Sequence, residues 1–266
     1  MINSNPSLSL SNPYPEGMNG IQKAGLALLG IAILLLLISW AGAGSTAPLL
    51  FLLLSFGLGI IGSLMYIVQF YKGKPEGVKN DNNMHNPLTS KGATGWLMGI
   101  VITGFYVLLY WFPSTLEGMI RIMDPLSHLL RGEAASQWFL YGTFYTVAIL
   151  VMGVKAILKY KHSNYQIIRT SVIMFFQLAF AFLIPHILKG FNQPEFYFSY
   201  FWPLEHKYLF PSTVEQITSS GNLGIFMITW GAVMTFIGTP ILTYFFGKRW
   251  YCSWVCGCGG LANTMG

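Results

Sequence analysis

The chain has 266 residues, of which 53% are hydrophobic and only 9% charged, and its formal net charge is +6. With a mean hydropathy of +0.53, these values exclude an ordinary soluble domain and place the chain among polytopic membrane proteins. The positive charge reads as a topology signal rather than a nucleic-acid footprint, so no nucleic-acid partner is expected.

Residues 1–23, rich in Asn, Ser and Pro, offer little apolar surface to bury and are expected to form a flexible tail. Six apolar runs follow, over about residues 24–44, 49–71, 95–113, 137–160, 166–188 and 223–246. Each approaches the ~20 residues that a helix needs to cross ~30 Å of hydrocarbon. None alternates like a barrel strand, and lipid offers backbone groups no partner, so the expected fold is an all-α polytopic membrane bundle of about six transmembrane helices. Ala41-Gly42-Ala43 resembles a leader cleavage site, but the run before it is too long for a signal core and only Lys23 supplies positive charge ahead of it. It is therefore read as a true span. Trp40, Trp96, Trp111, Trp138 and Trp250 sit where interfacial anchors belong.

Lysine and arginine set the orientation. Lys23, Lys72, Lys74, Lys79, Lys91, Lys155, Lys159, Lys161, Arg169, Lys248 and Arg249 fall on one side, and only Arg121, Arg131, Lys189 and Lys207 on the other. Both termini are thus expected in the cytoplasm, a reducing compartment that disfavours a structural disulfide.

Small residues at Ser55, Gly59 and Ser63, and at Gly95, Gly99 and Thr103, form stripes that predict close helix packing. Ser114-Thr115-Leu116-Glu117 has the pattern of a capping box opening a short amphipathic helix, and Asp124-Pro125 opens a second turn carrying His128. Gln177 falls near the middle of the fifth run, where an interhelical hydrogen bond is the expected role. Pro185-His186 comes at that run's outer end, and Pro240 should bend the sixth. The connection 189–222 is strongly aromatic, with Phe191, Phe196, Tyr197, Phe198, Tyr200, Phe201, Trp202, Tyr208 and Phe210. It is expected either to anchor at the outer interface or to dock a partner subunit.

All three cysteines fall in Lys248-Arg249-Trp250-Tyr251-Cys252-Ser253-Trp254-Val255-Cys256-Gly257-Cys258-Gly259-Gly260. Such grouping asks for a joint task, and iron in a cluster takes soft thiolates. Cys252, Cys256 and Cys258 are the candidate metal and cofactor ligands. Lys248 and Arg249 are expected to favour thiolates, and Gly257, Gly259 and Gly260 to let backbone N–H groups approach the sulfurs. The spacing C-x3-C-x-C matches neither a soluble ferredoxin run nor a paired zinc motif. Zinc held with His162, S-acylation and simple packing of free thiols remain alternatives.

Arg249-Trp250-Tyr251-Cys252-Ser253-Trp254-Val255-Cys256 resembles the Arg-aromatic-Cys-x3-Cys motif of polytopic membrane 4Fe-4S ferredoxin-like proteins of the NosR/NapH type. The resemblance covers roughly the last twenty residues and the multi-span layout. It departs from the family at Gly257, where proline is common, and in the additional Cys258. What it implies is an iron-sulfur cluster, 4Fe-4S, on the cytoplasmic side of a bacterial inner membrane. It also implies electron transfer between a quinone or cytoplasmic donor and other membrane redox subunits of a respiratory chain, or a metalloenzyme. Members of the family continue past this motif, so the segment 247–266 is expected to be the start of a longer cluster-binding region.

Haem is not expected: of His128, His186 and His206, only His186 lies near a place where facing helices could present an axial ligand. With no nucleotide-binding glycine loop, zinc-protease helix or nucleophile-base pair, the chain reads as a redox subunit rather than a stand-alone enzyme. A structural or assembly subunit without a working cluster is the alternative. Few charges and no duplicated halves disfavour a transporter.

Overall fold

The computed structural model describes residues 17–73, 77, 92–202 and 204–265. The expected tail 1–23 therefore lies mostly outside the described residues, as does most of the lysine-bearing connection after the second span. The fold is all-α and polytopic, 79% helical, with no strand among the described residues. Five helices are long and apolar enough to cross a membrane, and a sixth span results if one pair bent by 112° is counted as one. Two compact units divide the chain, one formed by residues 1–122 with 158–162, the other by 123–157 with 163–265.

The first unit holds α1 (Gly20–Trp40), α2 (Pro48–Tyr71), α3 (Gly92–Trp111) and α4 (Glu117–Arg121). Helix α1 opens at Asn19, whose side chain accepts the Gln22 N–H while Gln22 returns a bond to the Asn19 N–H, a reciprocal cap that starts the helix four residues before the apolar run. The α1–α2 contact is set by glycine: a Cβ on Gly25 would stand 2.7 Å from the Gly62 carbonyl oxygen, and one on Gly62 2.6 Å from that of Gly25. Ser55 is buried and bonds back to Phe51, and Gly59 meets Ala32, so the stripe on α2 packs as expected except that Gly62 takes the place given to Ser63. On α3 the middle position of the stripe is open: a Cβ on Gly99 would meet nothing within 4 Å. Small residues permit close approach but do not compel it. The capping box at Ser114 is also not formed. Residues Pro113–Leu116 make a 3-10 turn, and Glu117 pairs forward with Arg121 at 2.5 Å instead of reaching back.

The second unit holds α5 (Asp124–Arg131), all but the last two residues of α6 (Gln137–Lys159) and a span Asn164–Gly190 made of α7 (Asn164–Phe175), a π-helical stretch Phe176–Leu183 and α8 (Ile184–Gly190). After α9 (Pro211–Thr218) comes the last span, Asn222–Phe246, made of α10 (Asn222–Val233), a π-helical stretch Met234–Gly238 and α11 (Thr239–Phe246). Two short helices close the described chain, α12 (Trp250–Trp254) and α13 (Gly257–Met265). Both π stretches run directly into a helix with proline in its first turn, Pro185 in α8 and Pro240 in α11. Proline lacks an N–H and crowds the preceding turn, and widening that turn accommodates it inside a continuing span.

The aromatic connection is not confined to the end of the last span. Tyr208 donates its hydroxyl to the Met227 carbonyl (2.6 Å), Trp230 donates its indole N–H to Phe198 (3.0 Å), and Thr235 donates to Trp202 (2.8 Å). Met227 lies near the start of the span and Thr235 at its centre, so the chain descends to mid-span and returns. Phe196, Phe201 and Tyr208 are buried by this re-entry. Irregular backbone at such depth is tolerable where protein, rather than lipid, supplies its partners.

Candidate functional site

The cysteine segment also re-enters. From α12, whose Trp254 stacks edge-on to Tyr165 at the start of α7, the chain turns so that a Cβ on Gly257 would stand 2.7 Å from both Gln177 Oε1 and Tyr145 Cε1. Gln177 is the central residue of its span. Helix α13 then runs back along α7 and α6: Gly260 sits against Ile173 and Ile149, Asn263 accepts from Arg169 (3.3 Å), and Lys155 donates to the Met265 carbonyl (3.0 Å). The sequence expectation laid these cysteines on the membrane surface. Glycines at 257, 259 and 260 instead let the segment slip between two spans, reach mid-span and return to the end that carries Lys155 and Arg169.

Cys256 is half-buried, and Cys252 and Cys258 are exposed. The Cys256 sulfur accepts the backbone N–H groups of Gly259 and Cys258 at the opening of α13. Gly259 has no room for a side chain because the Cys252 carbonyl occupies that space.

In kind, these residues fit an iron-sulfur cluster: three soft donors fall within one short segment that runs from α12 into α13, and N–H groups already point at one sulfur. In arrangement they stop short of a closed cage, since among the described residues no three of His, Cys, Asp and Glu gather as a metal-holding group. His162, the alternative zinc ligand, belongs to the first unit and lies against Gly77 there.

Cys256, Gly257 and Cys258 form one end of a cavity of about 910 Å³ within the second unit. Gln177 and Tyr145 stand beside them. Gln177 is buried and donates to Thr146 (3.1 Å), the interhelical bond expected of it, while the buried Tyr145 Oη faces Cys258. Tyr141, Phe182, Tyr197 and Tyr200 line the walls. The far end is ionic. Arg131 reaches Glu133 and Glu195, both at 2.7 Å, and Lys189 reaches the same two carboxylates at 2.6 and 3.3 Å. The hydrogen bond from Lys189, reinforced by Arg131, holds the Glu133 carboxyl below its ordinary value. His186, buried against the rings of Phe139 and Phe182 at 4.9 Å each, lines this end.

A second cavity, about 520 Å³ and almost wholly apolar, adjoins the first and shares Phe176, Ser199, Tyr251 and Val255 with it. Tyr251 fixes that shared wall by donating its hydroxyl to the Ser199 carbonyl (3.0 Å), tying the cysteine segment to the aromatic connection.

Of the residues singled out from the sequence, the structure groups Cys256, Cys258 and Gln177 at one end of the cavity and His186 at the other; His128 and His206 do not line it. The sequence reading missed Tyr145 and the four-residue ion cluster. Arg131 and Lys189 had been counted only as topology charges, and two acidic residues on the same sparse side, Glu133 and Glu195, were the signal available. Phe191, Tyr200, Trp202 and Phe210 of the aromatic connection remain exposed. No family model, no curated protein and no solved structure matches the chain.

Proposed function

We propose that the chain is an integral membrane electron-transfer protein in which Cys252, Cys256 and Cys258 supply thiolate ligands to an iron-sulfur cluster and the adjoining cavity receives a quinone. The observation that carries this reading is the cavity itself, which has cysteines at one end, ionisable groups at the other and aromatic walls between. Its apolar neighbour has room for a tail, so the pair suits an amphiphile with a flat, polar-edged head group. When bound, a 4Fe-4S cluster would supply one-electron redox chemistry next to that head group. The chain's own residues place and enclose it: Tyr145 and Gln177 offer polar partners, Tyr141 and Tyr200 flank it, and the Tyr251–Ser199 bond closes the wall. The motif resemblance to the NosR/NapH type supports placement in a bacterial inner membrane with both termini cytoplasmic. Other redox subunits would then dock at the exposed part of the aromatic connection.

Iron and acid-labile sulfide, measured on full-length chain purified without oxygen, test the reading. Wild type should hold iron with a paramagnetic signal on reduction, and Cys256→Ser should reduce iron to background. Absence of iron in wild type, even with its native associates, overturns it. One observation favours a second reading, a structural or assembly subunit with no working cluster: the donors are not gathered into a metal-holding group among the described residues. Iron-free protein in constant proportion to partner subunits would select that reading.

A further inference from the structure

We infer that His186 accepts a proton from a hydroquinone bound in the cavity, and that the Arg131–Glu133–Glu195–Lys189 cluster carries the proton out. This rests on the quinone reading above and deepens it. Three buried polar atoms in this region have no protein partner: His186 Nδ1 on α8, and Ser127 Oγ and Arg131 Nε on α5, the helix packed against α8. Ser127 and Arg131 stand one turn apart on one face of α5. Buried polar atoms without partners cost stability, and persist where ordered water or a ligand meets them.

Exposure is graded along the cluster. His186 is 6% exposed, while the side chains of Glu195 and Glu133 are 28% and 46% exposed, so acceptors run from the enclosed cavity wall towards water. The charges that bear on His186 come from three elements: Arg131 from α5, Glu195 from the connection, and Lys189 from its own helix. The nearest groups of α6 and the π stretch are the Phe139 and Phe182 rings. In the inferred step a hydroquinone O–H bond breaks, its proton joins a ring nitrogen of His186, and the phenolate keeps the electron pair. No electron is transferred. The imidazolium then gives the proton to Glu195, whose carboxylate is neutralised until the proton leaves through Glu133 and water.

The test uses 2-heptyl-4-hydroxyquinoline N-oxide, an amphiphile with an acidic hydroxyl, bound to full-length chain in lipid nanodiscs and followed by its fluorescence between pH 5.5 and 8.5. A one-proton linkage changes affinity by up to about tenfold per pH unit. His186→Gln should remove one such linkage, and Glu195→Gln should move its midpoint without removing it. Calorimetry of wild type in two buffers of different ionisation enthalpy gives an independent count, with about one proton released to the buffer on binding, because the cluster passes the probe's proton from His186 on to water; this decides the matter if the variants fail to fold. A linkage unchanged in His186→Gln, or a count of zero, overturns the inference and leaves the quinone reading standing. If the probe does not bind wild type at all, both fall.

Discussion

At Gly259 a single missing side chain decides how the cysteines are held. The Cys252 carbonyl fills the space a Cβ would need, and at Gly257 the space is taken by Gln177 and Tyr145. Gly259→Ala must therefore push the cysteine turn away from α12, because a backbone carbonyl cannot swing aside as a flexible side chain can. Half-buried Cys256 should be alkylated by maleimide more slowly than exposed Cys252 and Cys258 in wild type, and at least severalfold faster after Gly259→Ala. An unchanged rate would mean that the turn tolerates the methyl group. The ion cluster makes a second prediction at this scale. Glu133 has its folded pKa held down by Lys189 and Arg131, so its stabilising contribution is present above the ordinary carboxylate value and is lost as pH falls through the lowered one. Thermal melts in detergent should show Glu133→Gln less stable than wild type at pH 7, with the gap closing as pH drops below the ordinary carboxylate range. A gap independent of pH would show that charge pairing is not what Glu133 contributes.

Among the elements, α1 and α2 depend on backbone-to-backbone approach more than on apolar burial, since most of each helix faces outward. Gly25→Ala places a methyl group against the Gly62 carbonyl, and overpacking of this kind costs about 1–3 kcal/mol. Reversible unfolding in mixed micelles should register that loss, whereas Gly30→Ala, where a Cβ meets nothing within 4 Å, should not. The long helices were legible in the chain because twenty apolar residues in lipid have few alternatives to a helix. Their junctions were not. The capping pattern at Ser114 gave way to a 3-10 turn after Pro113, with Glu117 engaged by Arg121. Ahead of Pro240, where a bend was expected, Met234–Gly238 is π-helical, and Phe176–Leu183 is likewise π-helical ahead of Pro185. Local patterns list the bonds a residue can make, and competition among neighbours chooses between them.

Across the second unit, two segments that flank opposite ends of the last span touch each other through Tyr251 and Ser199. Strict alternation of spans and surface loops would separate them by the length of that span. Re-entry of both removes the separation and creates the cavities. What the sequence determined by itself was the solvent each segment must face: the apolar runs, the sparse charges and the three cysteines in one short segment are properties of composition and order, and lipid admits few responses to them. Tertiary structure alone decided depth and neighbourhood. Whether Cys256 meets water or Gln177, and whether Arg131 is a topology charge or a partner of Glu195, depends on residues far apart in the chain finding each other. Hydropathy summed along the chain carries no term for such pairings.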